Sequence, residues 1–446
     1  MGVYSTEKSK KLYERAMKVI PGGASTASET PLEGHKPYPL FIDRAEGSRL
    51  YDADGNEYID FMVALGPTLV GNANPRVIQF VTEQIKKGNA YGLPFELQIE
   101  VAEKLVKHVP SFEKVCCMNS GSEVVQMAIR LARAYTKKDI VVKFEGAYHG
   151  WVDSVAHTVH PSIGLGQSKK IMEKSPIGEG IPENAYADIL VLQWNDWETL
   201  EETLEKHKDK IAGVLLDPCM SNSGIIPPDK GYLEKIREIT KKNGIVLIFD
   251  EVITGFRLGL RSAQGKFGVT PDLTTLAKAV GGGFPVSVYG GKAEIMDLMT
   301  DGKVFKAGTL NANRVAMAAA HATLEILEEG NGEVYKRIYT VGEKLMNGIR
   351  DIIKRYQAKA ILQGYGPMFQ IHFTPLDKVR NYNDFCQSSK EIFFDFRTRM
   401  LPRGVYIRPA HFGELYLSAA HTEEDIDRTL EAADEVIREM KRDKVV

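Results

Sequence analysis

Four cysteines in 446 residues cannot build a disulfide framework. Cys116 and Cys117 are adjacent in an apolar run, where successive strand side chains face opposite ways, and Cys219 and Cys386 stand alone. No C-x-x-C spacing occurs, which removes the usual zinc and thioredoxin-like readings. Such sparse cysteine usage fits a reducing cytoplasm. Charge of one sign is lacking too: 57 Lys+Arg against 59 Asp+Glu leave a formal net charge of −2. That balance excludes a polybasic nucleic-acid binder and an acidic disordered chain. No apolar run approaches the ~20 residues that span a bilayer, so no membrane association is expected. The stretch 1–20 mixes Lys and Glu where a secretory leader would carry an apolar core. G-x-G-x-x-G and G-x-x-x-x-G-K-[ST] are both missing, which removes the common dinucleotide and triphosphate cradles. His157-x-x-His160 is the one metal-like spacing, and no carboxylate or helix context supports it.

What is present is an ordinary globular composition, 43% hydrophobic and 26% charged. At ~150 residues per domain the length accommodates about three units. Leu12, Tyr13, Ala16, Met17 and Ile20 recur at helical spacing until Pro21-Gly22-Gly23 stops them, and residues 24–36 read as a polar loop. Leu40-Phe41-Ile42, Leu50-Tyr51 and Tyr58-Ile59-Asp60-Phe61, punctuated by Glu46-Gly47 and Asp54-Gly55, predict a small antiparallel meander. Then the pattern changes. Short Val- and Ile-rich runs at 114–118, 140–144, 189–192, 211–216 and 245–249 alternate with helical patterns at 123–137, 197–208 and 233–243. Near-continuous apolar strands between helices signal a mostly parallel sheet covered on both faces. Long helices follow at 314–328 and 334–357, and a last one opens at Thr422 with Asp425 as its capping partner. The expected architecture is α/β: an N-terminal segment (1–75), a large domain with a mostly parallel sheet (76–312) and a smaller α+β domain (313–446).

Ligands of open α/β sheets sit at the carboxyl ends of the strands, so the residues there carry the chemistry. After the run at 114–118 come Asn119-Ser120-Gly121-Ser122-Glu123 and a helix. Free N–H groups, hydroxyls and the helix dipole suit an anion there, although a plain serine cap reads the same. Phe144 leads into Glu145-Gly146-Ala147-Tyr148-His149-Gly150, where Tyr148 or His149 could stack on a planar ring, or the glycines simply form a turn. The buried run at 245–249 ends in Asp250, a carboxylate that needs a cationic partner: a protonated pyridine, a metal or the nearby Arg257. Lys278 closes another apolar run before Gly281-Gly282-Gly283, where partial desolvation would suit Schiff-base chemistry and a snorkelling surface lysine is the plainer reading. Together these supply what pyridoxal phosphate requires: an anion cradle, a stacking aromatic, a carboxylate and a lysine.

These blocks, with Phe249-Asp250-Glu251-Val252-Ile253-Thr254-Gly255 and Leu276-Ala277-Lys278-Ala279, resemble the signatures of class III pyridoxal-phosphate aminotransferases. Within that class the pattern is most similar to the glutamate-1-semialdehyde 2,1-aminomutases, from Pro21-Gly22-Gly23 to Ala419-Ala420-His421. The resemblance implies fold type I, pyridoxal phosphate as cofactor, and a homodimer with the site at its interface. It assigns Lys278 as covalent anchor and proton shuttle, and Asp250 as partner of the ring nitrogen. Val252 and Tyr148 fall on the two ring faces, Ser120, Gly121 and Ser122 around the phosphate, Asn222 near the ring, and Thr309 on the neighbouring subunit's phosphate.

The likeness is weaker around the substrate. The aminomutase Ser-Pro-Val-Arg segment reads Ala24-Ser25-Thr26-Ala27-Ser28, its mobile loop is replaced around Val159–Gly164, and Gly-His-x-His-Pro becomes Gly71-Asn72-Ala73-Asn74-Pro75. A glutamate is Asp217, another is Gly413, and a small residue is Arg408. A guanidinium at 408 suits a substrate carboxylate, or else an ion pair within the protein. The expectation is an aminotransferase moving an amino group from an amino acid (including β- or D-) or amine to a keto acid by two half-reactions. Its alternatives are the aminomutase itself and an amino-acid racemase or epimerase.

Overall fold

The computed structural model describes residues 4–26, 39–161 and 170–446. The polar stretch expected as a loop lies mostly outside them, as does the part of the replaced mobile loop at Ser162–Gly164. Two compact units result: Met1–Asn74, Lys336–Lys378 and Gln387–Val446 form one, Pro75–Tyr335 and Val379–Cys386 the other.

In the first unit the N-terminal helix runs Glu7–Ala16. The expected meander is present as β1 (Ile42–Glu46), β2 (Arg49–Asp52) and β3 (Glu57–Asp60), paired antiparallel in that order. The second unit is built on β4 (Lys114–Met118), β5 (Ile140–Phe144), β6 (Ile189–Leu192), β7 (Ile211–Leu216), β8 (Val246–Glu251), β9 (Leu273–Leu276) and β10 (Ser287–Gly291). Their order in the sheet is β4-β10-β9-β8-β7-β5-β6. All pairs from β9 through β6 are parallel, while β10 runs antiparallel to both β9 and β4.

β10 is the strand that sequence periodicity does not draw. In its Tyr289-Gly290-Gly291, Gly290 and Gly291 are required by crowding: a Cβ would meet the Lys114 carbonyl oxygen at 2.6 Å and that of Asp272 at 2.1 Å. Helices Gly121–Thr136, Trp197–His207 and Tyr232–Lys242 fall within a residue or two of their predicted spans. The first of them buries Val124, Val125, Ala128, Ile129, Leu131 and Ala132 in one cluster with Leu215, Val246 and Ile248. At about 1.5–3 kcal/mol per large apolar side chain, that face alone anchors the helix whose N-terminus opens the site. Helix Arg314–Glu328 packs beside Pro75–Ile85 and Glu96–His108 in this same unit.

Back in the first unit, β11 (Ile361–Tyr365), β12 (Met368–His372) and β14 (Leu415–Tyr416) form an antiparallel sheet, and β13 (Val405–Tyr406) joins β3 in parallel. Helix Glu423–Arg442 opens with the expected capping box of Thr422 and Asp425. The Asp425 carboxylate also accepts from Ser48 at 2.8 Å and pairs with Arg49.

Candidate active site

The carboxyl ends of β4, β5, β7, β8 and β9 converge on a cavity of about 180 Å³ in the second unit. Gly121, Ser122, Tyr148, His149, Asp217, Asn222, Asp250, Val252 and Lys278 line it. Residues from 121 to 278 meet because each lies at or beyond the carboxyl end of a strand of one sheet.

Asp250 lies in β8 opposite Thr275 of β9 and is 5% exposed. Its Oδ1 accepts from the Val252 N–H and the Thr275 hydroxyl, both at 3.1 Å, and its Oδ2 lies 2.7 Å from His149 Nδ1. Arg257, the partner offered by sequence proximity, gives way to an imidazole from the end of another strand. His149 is fully buried, and its Nε2 has no hydrogen-bond partner. Glu251, next along the strand, points the opposite way. It accepts from Ala263 N–H at 2.6 Å and Gln264 Nε2 at 3.0 Å, and burial pushes its carboxyl up to about 7. Only one of the two adjacent carboxylates therefore serves the cavity.

Lys278 follows β9 with φ +48°, a left-handed backbone that costs a non-glycine residue roughly 1 kcal/mol or more. The fold holds the lysine where the chain by itself would not, which directs its side chain to the cavity. Ser120 caps helix Gly121–Thr136: its hydroxyl accepts the Glu123 N–H at 3.4 Å and Glu123 Oε2 accepts the Ser120 N–H at 2.7 Å. That hydroxyl is committed to the cap, and Ser120 is not among the cavity-lining residues. The first-turn N–H groups of Gly121 and Ser122 remain for an anion. The Ser122 hydroxyl accepts the Trp151 N–H at 3.2 Å, which ties the Tyr148–Gly150 loop to the helix N-terminus. A Cβ on Gly121 would stand 3.2–3.3 Å from the Val252 methyls, so the glycine lets the two walls approach.

Tyr148 is 41% exposed at the cavity mouth, and burial of its inner part with the Asp250 charge raises its hydroxyl pKa. Asp217 was legible only as a departure from the aminomutase pattern; here it is a buried wall residue. Burial pushes its carboxyl up, with Asp250 adding to the effect, while the Ser221 N–H at 2.8 Å and the Cys219 N–H at 3.2 Å oppose it. The sequence offers Tyr148 or His149 as the stacking ring, and the pairing of His149 with Asp250 carries no sequence signal because 101 residues separate them.

Two candidates lie elsewhere. Thr309 is exposed in the loop before helix Arg314–Glu328 and does not line this cavity. Arg408 belongs to the first unit, where its Nη1 meets Glu414 Oε2 at 2.5 Å and its guanidinium lies 4.7 Å from the Phe412 ring centre. Glu414 is fully buried, so this is an interior ion pair.

The donor set fits pyridoxal phosphate. A cradle of helix N–H groups suits its phosphate, the carboxylate braced by buried His149 suits its ring nitrogen, and the Lys278 amine suits its aldehyde. Val252 and Tyr148 offer apolar and aromatic surfaces for its faces. Among the described residues no cluster of His, Cys, Asp and Glu could hold a metal ion.

Known proteins point the same way. The family model described as Aminotransferase class-III matches residues 32–437. The chain is 40% identical over 440 residues to "Glutamate-1-semialdehyde 2,1-aminomutase 2" of Halalkalibacterium halodurans, covering 98% of this chain and 99% of that protein. It is 41% identical over 430 residues to "Glutamate-1-semialdehyde 2,1-aminomutase" of Archaeoglobus fulgidus, covering 96% and 99%. The solved omega-transaminase of Sphaerobacter thermophilus superposes with a TM-score of 0.89 at 33% identity, covering 97% of each chain. This chain belongs to the class III aminotransferase family of pyridoxal-phosphate-dependent enzymes.

Proposed function

We propose that this protein shifts an amino group within a small carboxylated substrate, as a glutamate-1-semialdehyde 2,1-aminomutase. The observation that carries this reading is 40–41% identity, over nearly the full length of both chains, to proteins of that name. It departs from the sequence-based expectation, which placed intermolecular transamination first.

Bound pyridoxal phosphate supplies an electron sink for the substrate's Cα bond electrons. Lys278 Nζ anchors the cofactor and then carries the proton to and from the substrate carbons. Asp250 accepts the ring N–H, and His149 holds that carboxylate in place. Gly121 and Ser122 N–H groups would bind the phosphate, and Val252 and Tyr148 would hold the ring.

A second reading, transamination between an amino acid or amine and a keto acid, is favoured by the substrate-side differences at Gly71–Pro75, Asp217 and Arg408. In it Arg408 would release Glu414 and take the substrate carboxylate. We also infer a homodimer with Thr309 at the neighbour's cofactor; Phe305 and Leu310, 75% and 56% exposed on the same segment, support a covering partner. Four free thiols suit a reducing cytoplasm.

The test is to supply glutamate-1-semialdehyde without an external amino donor. Isomerisation with the nitrogen retained supports the aminomutase. Its absence, together with cofactor-absorbance cycling by an amino donor and a keto acid, would establish transamination instead. Under transamination, Arg408→Ala should raise KM for carboxylated substrates and spare simple amines. Exchange of the α-proton into heavy water without net transfer would indicate racemisation.

A further inference from the structure

Residues Val379–Cys386 belong to the second unit, although the chain on either side, Lys336–Lys378 and Gln387–Val446, belongs to the first. An eight-residue strap of this kind has no sheet or long helix to hold it, so its side chains must do so. Val379, Tyr382 and Phe385 are buried. Arg380 reaches Asp229 Oδ2 with Nε at 3.1 Å and Nη2 at 2.6 Å, and Asn195 donates to the Arg380 carbonyl at 2.8 Å. Asn381 caps the single turn Tyr382–Phe385 by accepting the Asp384 N–H at 3.0 Å.

Tyr382 does more than anchor the strap. Its hydroxyl donates to the Pro161 carbonyl at 3.0 Å, and its ring lies against Gly146, where φ is +83° and a Cβ would stand 2.5 Å from ring Cδ2. Gly146 and Pro161 lie on either side of Tyr148 and His149 along the chain. The Gly146 carbonyl also accepts from the Ser223 hydroxyl at 2.9 Å, and His160 Nε2 lies 3.0 Å from the Asn222 carbonyl. The loop gripped by Tyr382 is thus bonded to the turn that presents Asn222. Tyr148, His149 and Asn222 all line the cavity, and Tyr382 is not among the lining residues.

We propose that Tyr382 is a positioning residue for the cofactor site. By touching the chain at Gly146 and at Pro161, on either side of Tyr148 and His149, it sets those two residues against the cavity. Through Ser223 and His160 it sets the Asn222 turn as well. A site wall made of loops is only as ordered as the groups bracing it, and an unbraced wall must be ordered at the expense of binding. The strap therefore supplies cofactor affinity from outside the cavity. This inference rests on the assignment of Tyr148, His149 and Asn222 to the pyridoxal-phosphate site.

The experiment compares cofactor-free wild type, Tyr382→Phe and Tyr382→Ala by pyridoxal-phosphate titration. Hydrogen exchange of peptides covering 145–161 and 217–224, and thermal melts, are measured in parallel. Phenylalanine keeps the ring against Gly146 and loses one hydrogen bond, so affinity should fall about fivefold. Alanine removes the ring as well and should weaken binding by about tenfold or more, with faster exchange at both loops. A residue that only packs would lower the melting temperature and leave affinity and loop exchange unchanged, and that result overturns the proposal. Should Tyr382→Ala fail to fold, Tyr382→Phe decides: unchanged affinity overturns the proposal and a fall supports it. Failure of the underlying site assignment has a different signature, since His149→Phe and Asn222→Ala would then leave cofactor affinity unchanged while wild type still binds.

Discussion

Replacing His149 by phenylalanine should weaken pyridoxal-phosphate binding by about ten- to a hundredfold, although the imidazole would act on the cofactor only through Asp250. His149 Nδ1 stands 2.7 Å from Asp250 Oδ2, with the two side chains 0% and 5% exposed. Hydrogen bonds to charged groups are worth ~1.5–3 kcal/mol, which at ~1.4 kcal/mol per decade gives that range. Phenylalanine fills nearly the same volume, so little of the loss is a cavity effect. Asp250 Oδ1 keeps its bonds from Val252 and Thr275, so the carboxylate stays anchored at one oxygen and free to swing at the other. The assay is titration of cofactor-free protein with pyridoxal phosphate, with melts recorded before addition. Part of the loss should appear as a lower melting temperature of the cofactor-free chain, because a buried acceptor has lost its donor. His149→Gln should recover part of the affinity by donating from a similar position. Affinity within twofold of wild type for His149→Phe, with an unshifted melt, would refute the reasoning.

Lys278→Ala should leave no cofactor mass on the chain after borohydride reduction, and an adduct that persists at another lysine would overturn its assignment as anchor. Gly150→Ala forces a side chain onto φ +103° and puts its Cβ 2.8 Å from Ser122 Cα. Backbone strain of about 1–3 kcal/mol, plus a clash with backbone that cannot turn aside, should lower both the melting temperature and phosphate-dependent cofactor binding. An unshifted melt would count against this account. Arg408→Met and Glu414→Gln each break an interior ion pair and should cost about 3–5 kcal/mol in urea unfolding, whereas the double variant should recover most of it; additive losses would show the pair to be unimportant. Lys143 is fully buried, donates to the Val155 and His157 carbonyls at 3.1 and 2.7 Å, and is pushed down to about 7 by burial from 10.5. Between these values the unfolded chain binds the extra proton, so this group's contribution to stability grows as pH rises from about 7 to 10.5 and is lost as pH falls. Lys143→Met should flatten that slope, and equal slopes in wild type and variant between pH 7.5 and 9.5 would sink the idea.

Much of the second unit was legible because each parallel strand is apolar throughout and each crossover helix has a clear buried stripe. Helix Arg314–Glu328 matches its predicted span, and Glu333–Tyr356 lies one residue from its own. β10 was not legible, because its glycines answer to neighbouring carbonyls that sequence position does not reveal. Among site residues, Asp250 and Lys278 stood out by closing apolar runs, and Gly121, Ser122 and Tyr148 by lying in the segments that follow such runs. Ser120 carried both a cap and a ligand reading, and its geometry is that of a cap. Asp217 gave no comparable signal, since an aspartate before a proline reads equally well as a turn.

The amino-acid sequence by itself determined the alternation of strand and helix, the sign-neutral surface and the chemical types at each strand end. Those depend on local periodicity and residue chemistry, which a linear chain displays in full. Only the tertiary structure decided which groups meet. It set His149 rather than Arg257 against Asp250, turned Glu251 away from the cavity, and joined Arg408 to Glu414 in the interior. It also set Tyr382 against Gly146 and Pro161, 221 residues from its hydrogen-bond acceptor. Such pairings are set by sheet order and side-chain direction, and neither is encoded in the spacing between residues.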